Sequence, residues 1–351
     1  MNNILFMHPA VHSIEDMFKY LYISDSRLAE NLIWNQTNPD IVFIAEVIFT
    51  IPEFFNQFKK LYGKSNNKIY VLHGGESVYP DLNVFDYGLV YCTYLSEFDR
   101  VIKTPEQSFF LHNNEGFINK YDYETALQSL YNREFCNFIY SNPFSHPNRD
   151  AFFHELCRYK KVSSLGEHFN NTKTAPSRSH ANWFQESITL KSKYKFSIAF
   201  ENERYYGYTT EKILSSFQAH TVPIYWGNPN INDYYNRDAF INCHNYNGFD
   251  EVIERIKEID NNDELWASIV SQPWQTEEQR ERTKKDVKTY NSFFSDLFMA
   301  DDLSKFVRRP MGTFTDLYYK WFFRAFQNNY LEKAKTKIAR VFKETTYMRE
   351  V

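Results

Sequence analysis

Four cysteines in 351 residues, Cys92, Cys136, Cys157 and Cys243, are scattered and never form a Cys-x-x-Cys pair. That argues against a disulfide framework or a thiolate zinc site and for buried or idle thiols in a reducing compartment. No run of about 18 apolar residues occurs, so no transmembrane helix is expected. The opening stretch Met1-Asn2-Asn3-Ile4-Leu5-Phe6-Met7-His8 has neither a basic start nor a long apolar core, and reads as a first β-strand instead of a secretory signal. A cytoplasmic protein is therefore expected, and the sequons at Asn35 and Asn170 are taken as coincidences. An excess of one charge is also lacking: 40 Lys and Arg face 44 Asp and Glu, a formal net of −4, so nucleic acid is not an expected partner. The ten histidines show no metal-ligand spacing, and there is no Gly-x-Gly-x-x-Gly. Scattered residues make no case for a Ser-His-Asp triad.

Aromatic residues are plentiful, with 26 Tyr and 33 Phe, enough for a large core. The length allows two domains of ordinary size. Short apolar runs at 4–7, 41–45, 69–72 and 88–91 predict strands, with helical spacing at 26–34 and 52–61. Such alternation predicts a parallel α/β layer. Residues 103–134 are polar and irregular and read as a connection. A second series follows, with a strand over 135–140, a helix over 149–159, a polar loop over 163–179, a helix near 183–189 and a short strand at 240–242. Helical spacing returns at 250–259 and through much of 262–298. Two similar α/β halves with a cleft between them are the simplest architecture. The divisions are 1–133, 134–302 and a tail at 303–351. The tail carries eleven Lys and Arg against four Asp and Glu, interleaved with Tyr318, Tyr319, Trp321, Phe322, Phe323 and Phe326. A basic aromatic helix can lie on an anionic membrane surface, or it can dock its rings on the first domain.

The densest signal is at 195–227, which reads as strand, polar loop, helix and strand. The apolar run Phe196 to Phe200 stops at Glu201-Asn202, and Thr209 or Thr210 can cap the next helix through a hydroxyl. Ile213, Leu214 and Phe217 form one apolar stripe, and Val222 to Trp226 returns as a buried strand. In such a unit the loop after the first strand sits at the carboxyl edge of a parallel sheet. The first turn of the helix offers backbone N–H groups, a positive dipole end and Lys212, so binding of an anion, a nucleotide phosphate above all, is expected.

The block Tyr194-Lys195-Phe196-Ser197-Ile198-Ala199-Phe200-Glu201-Asn202, Gly207-Tyr208-Thr209-Thr210-Glu211-Lys212-Ile213 and His220 to Gly227 resembles the signature of the α1,3/4-fucosyltransferases of glycosyltransferase family 10, the bacterial members in particular. Ser141-Asn142-Pro143, Arg149-Asp150-Ala151-Phe152-Phe153 and Tyr159-Lys160-Lys161-Val162 look like the start of that family's donor domain. Gly75-Glu76 and Pro80 to Tyr87 are similar to a segment of its acceptor domain. The resemblance spans roughly residues 70 to 275. It departs at Glu203, where the family usually has Ser, and at Thr209, where it usually has Val.

The resemblance implies an α/β fold of the GT-B class, two facing Rossmann-like domains with an interdomain cleft. It also implies inverting transfer of fucose from GDP-fucose to a sugar hydroxyl, with no cofactor and no metal site. The acceptor expected is a GlcNAc-containing, N-acetyllactosamine-like glycan in α1,3 linkage. By the same resemblance Glu76 is the base, on a loop after the strand at 69–72; Glu46, which follows the strand at 41–45, is the fallback by its position alone. Arg149 and Lys212 neutralise the diphosphate, Glu211 accepts from ribose hydroxyls, and Tyr208 and Asn202 hydrogen-bond phosphate or sugar. His220 is read as structural. Two other functions remain open, transfer of a different GDP-sugar and catalytically silent glycan binding. Peripheral contact with an anionic membrane through 303–351 goes with the tail.

Overall fold

Runs of buried β-branched and aromatic residues form two separate sheets, because parallel strands covered on both faces read as continuous apolar stretches. The computed structural model describes residues 1–62, 67–95, 97–105, 121–173 and 183–325. The chain divides into two units. Unit one is Met1–Val90, Glu97–Ile102 and the chain from Asn291 onward. Unit two is Tyr91–Ser96 and Lys103–Tyr290. This division differs from the boundaries expected at 133/134 and 302/303, since residues 291–325 group with the first sheet, with Phe294 against Phe43 and Phe323 against Phe55.

The sheet of unit one contains β1 (Asn2–Met7), β2 (Leu32–Trp34), β3 (Ile41–Ala45), β4 (Ile69–His73), β5 (Tyr87–Val90) and β6 (Val101–Lys103). Their order is β2-β1-β3-β4-β5-β6. All five residues of β3 and of β4 are buried, and their parallel register pairs Ile41 with Ile69 and Ala45 with His73. That register brings the loops beginning at Glu46 and Gly74 to one edge. The helix Pro52–Tyr62 starts on a proline, which costs nothing at a first turn, and buries Phe55, Phe58, Leu61 and Tyr62. These side chains pack with Tyr70, Leu72 and Phe85.

The helix expected at 26–34 is instead a 3-10 turn, Ser26–Asn31, followed by β2. Asp25 caps the turn by accepting the Arg27 N–H, and Asn2 pairs with Leu32 across β1 and β2. Pairing with β1 outweighs the local helical spacing. The connection expected at 103–134 contains a helix, Tyr123–Ser129, capped by Asp122, which accepts the Thr125 N–H at 2.7 Å. The rest of that reading, 106–120, lies outside the described residues, as does 174–182 of the loop expected at 163–179.

The C-terminal part of the chain returns to unit one on a buried ion pair. Arg309 Nη1 donates to Asp86 Oδ2 at 2.6 Å and to the Lys68 carbonyl oxygen at 2.7 Å. Asp86 Oδ1 accepts the N–H groups of Arg308 and Arg309, while its Oδ2 accepts that of Tyr70. Beyond it, residues 313–325 are helical. Phe322 and Phe323 are buried in the core of unit one, with Tyr318 and Tyr319 packed beside them. Docking on the first unit thus accounts for four of the six tail aromatics. Trp321 stays 62% exposed, and Phe326 lies outside the described residues.

Unit two contains β7 (Glu134–Phe138), β8 (Val162–Ser164), β9 (Tyr194–Phe200), β10 (Val222–Trp226) and β11 (Ile241–Asn242), in the order β11-β10-β9-β7-β8. Its recorded pairs are parallel. The helices Asn148–Tyr159, Trp183–Lys191, Glu211–Gln218, Phe249–Asp260 and Asp263–Val270 complete the layers. The core gathers Phe138, Phe152, Phe196, Phe200, Ile224, Ile256 and Trp266.

Candidate functional site

In unit two the strand order reverses between β7 and β9. The chain leaves those neighbouring strands toward opposite faces, and open α/β sheets take their ligands at the carboxyl ends of such a pair. Three segments meet there: the loop after β7 with Tyr140 and Asn142, the first turn of Asn148–Tyr159 with Arg149, and the loop after β9 with Glu201 and Asn202.

Arg149 is 0% exposed. Its guanidinium donates to the Asn142 carbonyl oxygen at 2.6 Å and to Asn202 Oδ1 at 3.3 Å. It lies over the Tyr140 ring, 4.5 Å from the centroid, with Nε 3.5 Å from Asp150 Oδ1. Two of the expected site residues, Arg149 and Asn202, are therefore in contact. The guanidinium charges the floor beneath the two loops and offers no surface to solvent, so a direct bidentate grip requires Asn142 and Asn202 to move apart.

Thr210 occupies the cap position of Glu211–Gln218, but no side chain makes the capping bond. Its hydroxyl donates to Glu201 Oε2 at 2.7 Å, and its N–H donates to Glu201 Oε1 at 2.8 Å. The expected hydroxyl cap is lost because Glu201, fully buried at the end of an apolar strand, needs hydrogen-bond donors more than the helix end does. The helix start keeps its N–H groups for another acceptor.

Lys212 completes this cluster. Its Nζ lies 3.1 Å from Glu201 Oε2, 2.8 Å from Thr210 Oγ1 and 3.7 Å from Glu211 Oε1. Burial pulls the ammonium toward neutrality, but the Glu201 and Glu211 carboxylates outweigh it, and the group is held charged. Burial pushes the Glu201 carboxyl up, opposed by Lys212 and Thr210. Two of the three ammonium donors are engaged at hydrogen-bond distance, and Glu211 lies just beyond it. Tyr140 links the halves of the site, because its phenol feels both Arg149 and Lys212.

Tyr208 is buried edge-on to Tyr91, with ring centroids 5.2 Å apart. In this state its ring packs the loop and does not face an open site. The loop turns at Gly207, whose φ of +91° suits glycine, and a Cβ there would fall 2.0 Å from the Tyr91 carbonyl oxygen. The Gly207 N–H donates to Asn228 Oδ1 at 2.9 Å, and Asn228 Nδ2 donates to Thr209 Oγ1 at 3.0 Å. Gly227 leaves room for Glu201, since a Cβ there would sit 2.6 Å from Glu201 Cβ.

Sequence reasoning missed Glu201 and Lys191 as site residues. Glu201 had a signal, a carboxylate directly after the strand-like run Phe196 to Phe200; Lys191 had none. Lys191 is buried behind the Glu211–Gln218 helix and donates to the Lys212 carbonyl oxygen at 3.1 Å, Ser215 Oγ at 2.6 Å and Ser216 Oγ at 3.2 Å. Burial lowers its pKa to about 7, helped by Lys212 and opposed by Glu211 and Glu201. An unfolded lysine titrates near about 10.4. Between those values the unfolded chain binds more protons than the folded one, so stability rises with pH, by about 1.4 kcal/mol per pH unit from this group. Lys191→Met is expected to remove that contribution. Urea unfolding of both proteins from about pH 7 to about pH 10 reads it as a difference that shrinks as pH rises.

In unit one Glu76 is exposed on the turn after β4. Glu46 stands at the end of β3, and its Oε2 accepts the Gly75 N–H at 2.9 Å. His73, at the end of β4, is buried, which lowers its pKa to about 4. His220 stacks on Tyr121 at 3.7 Å between ring centroids, in keeping with a packing role. Among the described residues no three His, Cys, Asp or Glu side chains gather as metal ligands. Among the described residues no helix is long and apolar enough to cross a membrane.

Comparison with known proteins bears on these residues. Residues 131–299 match the model of glycosyltransferase family 10 (fucosyltransferase) C-term. An alpha-(1,3)-fucosyltransferase of Helicobacter pylori is 30% identical over 216 residues, 53% of this chain and 43% of that protein. A GDP-fucose protein O-fucosyltransferase 3 of Xenopus laevis is 30% identical over 127 residues, 35% of this chain and 27% of that protein. The match thus spans less than half the length of these curated relatives. A crystal structure of an alpha1,3-fucosyltransferase superposes with a TM-score of 0.64 at 23% identity, covering 86% of this chain and 91% of the other. That likeness shows the fold, and with the two parallel sheets it gives the two-domain α/β class GT-B. Residues 131–299, just under half of the chain, are thus similar to the C-terminal part of the fucosyltransferases of glycosyltransferase family 10.

Proposed function

We propose that this protein transfers L-fucose from GDP-fucose to a hydroxyl of a GlcNAc-containing, N-acetyllactosamine-like glycan, with inversion and in α1,3 linkage. One observation carries the proposal: a charged, partly buried Lys212 at an uncapped helix start, beside the strand-order reversal of unit two and inside the segment that matches the family. As GDP leaves, negative charge grows on its diphosphate, and a fixed ammonium with helix N–H groups stabilises that charge. Arg149 adds positive potential from below, Asn202 meets the phosphate or sugar, and Tyr208 holds the loop by packing. Glu211 accepts from the ribose hydroxyls. Glu76 takes the proton of the attacking acceptor hydroxyl. The reaction calls on no cofactor and no metal.

A different GDP-sugar donor is the nearer rival, because Arg149 and Lys212 address the phosphate and Glu211 the ribose, which every GDP-sugar shares. A silent glycan-binding protein has no use for Arg149, Glu211 and Lys212. The name of the Xenopus relative adds a protein hydroxyl as an alternative acceptor. A panel of GDP-sugars against glycan and peptide acceptors, scored by GDP release and by NMR of the product linkage, separates these. Turnover confined to GDP-fucose with a glycan supports the proposal, and glycan binding without GDP release ends it.

The tail fits peripheral contact with an anionic membrane, on the cytoplasmic face. Phe314, Leu317 and Trp321 form one exposed stripe at helical spacing beside exposed Lys320 and Arg324.

A further inference from the structure

The carboxyl edge of the unit-one sheet has its own order reversal, between β1 and β3. Glu46 follows β3 directly and reaches sideways to the loop after β4. We infer that Glu46 is the positioning residue for Glu76: its carboxylate fixes the Gly74–Glu76 turn so that the Glu76 side chain is held where the acceptor hydroxyl arrives. The inference rests on Glu76 being the base of the proposed reaction.

Four observations support it. Glu46 Oε2 accepts the Gly75 N–H at 2.9 Å, one residue before Glu76. A Cβ on Gly75 would lie 3.3 Å from Glu46 Oε1, so the turn sits against the carboxylate with little room to spare. The far side of the turn is pinned as well, with the Gly74 N–H donating to the Leu89 carbonyl oxygen at 2.9 Å and the Val78 N–H to the Glu76 carbonyl oxygen at 2.8 Å. Finally, Glu46 is partly buried, and burial pushes its carboxyl up against the pull of the Gly75, Glu46 and Glu76 N–H groups, with the Glu76 charge adding to the push. A carboxylate kept in such surroundings accepts from the turn; removing it frees the Gly75 N–H that ties the turn to the end of β3. A base displaced by a fraction of an ångström loses rate without losing donor affinity.

The test compares Glu46→Ala, Glu46→Gln, Glu76→Gln and the double variant Glu46→Ala/Glu76→Gln in the full chain, with GDP-fucose and the accepted glycan. Glu46→Ala is expected to lower kcat by about 10- to 100-fold with an unchanged donor KM, and to speed hydrogen exchange at Gly75. Glu46→Gln keeps an acceptor oxygen for Gly75 and is expected to restore most of kcat. The double variant is expected to be no slower than Glu76→Gln, since Glu46 acts only through that base. Full kcat in Glu46→Ala, with Glu76→Gln inactive, overturns the positioning role and leaves the base in place. Loss in Glu46→Gln equal to that in Glu76→Gln overturns it too, because Glu46 would then carry the proton itself. Full kcat in Glu76→Gln overturns the assignment of the base.

Discussion

Glu76→Gln is expected to slow turnover by about 10²- to 10⁴-fold while leaving the Kd for GDP unchanged. The substitution keeps the size of the side chain and its exposed place on the turn after β4, so the fold has no reason to respond. It removes only the capacity to take a proton. An uncatalysed acceptor hydroxyl is a poor nucleophile, and a positioned base supplies that fraction of the rate. In the proposed reaction GDP is bound by residues of unit two, so its affinity is expected to stay. Calorimetry with GDP alongside initial rates with GDP-fucose checks both halves. A variant with full activity removes Glu76 from the mechanism.

The second large effect is expected at Lys212→Ala, and it has two parts. Loss of a fixed cation at the departing diphosphate is expected to cost about 10²- to 10³-fold in kcat and to raise the donor KM. Loss of the partner of Glu201 is expected to cost stability as well. Glu201 is wholly buried, and its hydrogen bonds to Thr210 remain but its ion pair does not. Breaking one side of a buried pair costs about 3–5 kcal/mol. In the variant the Glu201 carboxyl, already pushed up by burial, rises further above its unfolded value. A raised carboxyl contributes stability below the unfolded pKa and loses it as pH rises, so the variant weakens toward neutral pH. Lys212→Ala/Glu201→Gln removes the stranded charge. It is expected to regain most of the stability and none of the turnover, which separates the structural role of Lys212 from its chemical one. An unchanged donor KM and kcat in Lys212→Ala refutes the chemical role.

Much of the architecture was legible because parallel strands buried on both faces announce themselves. Phe196 to Phe200 and Val222 to Trp226 read as strands without help, and so did 41–45 and 69–72, since no polar alternation competes there. The charged stop at Glu201-Asn202 and the threonines before Lys212 placed the loop and the helix. Short elements were less legible. Leu32-Ile33-Trp34 has helical neighbours and becomes a strand only because β1 lies beside it. The small helix Tyr123–Ser129 hid in a polar stretch whose chief marker was one capping aspartate, Asp122.

The site divides along the same line. The resemblance to glycosyltransferase family 10 singled out Glu76, Arg149, Asn202, Tyr208, Glu211 and Lys212, whereas local pattern alone offered only an anion site at the helix start beside Lys212. Their surroundings are not local. Arg149 lies beneath Asn142 and Asn202, Tyr208 packs against a ring 117 positions earlier in the chain at Tyr91, and Thr210 gives its hydroxyl to Glu201 and not to its own helix. Lys191 is the extreme case, an ordinary lysine at the end of a helix that meets Ser215 and Ser216 only when two helices pack. Chain order encodes which groups are on hand; burial, partners and proton affinity come from neighbours distant along the chain, because desolvation and hydrogen bonding depend on what surrounds a group in space.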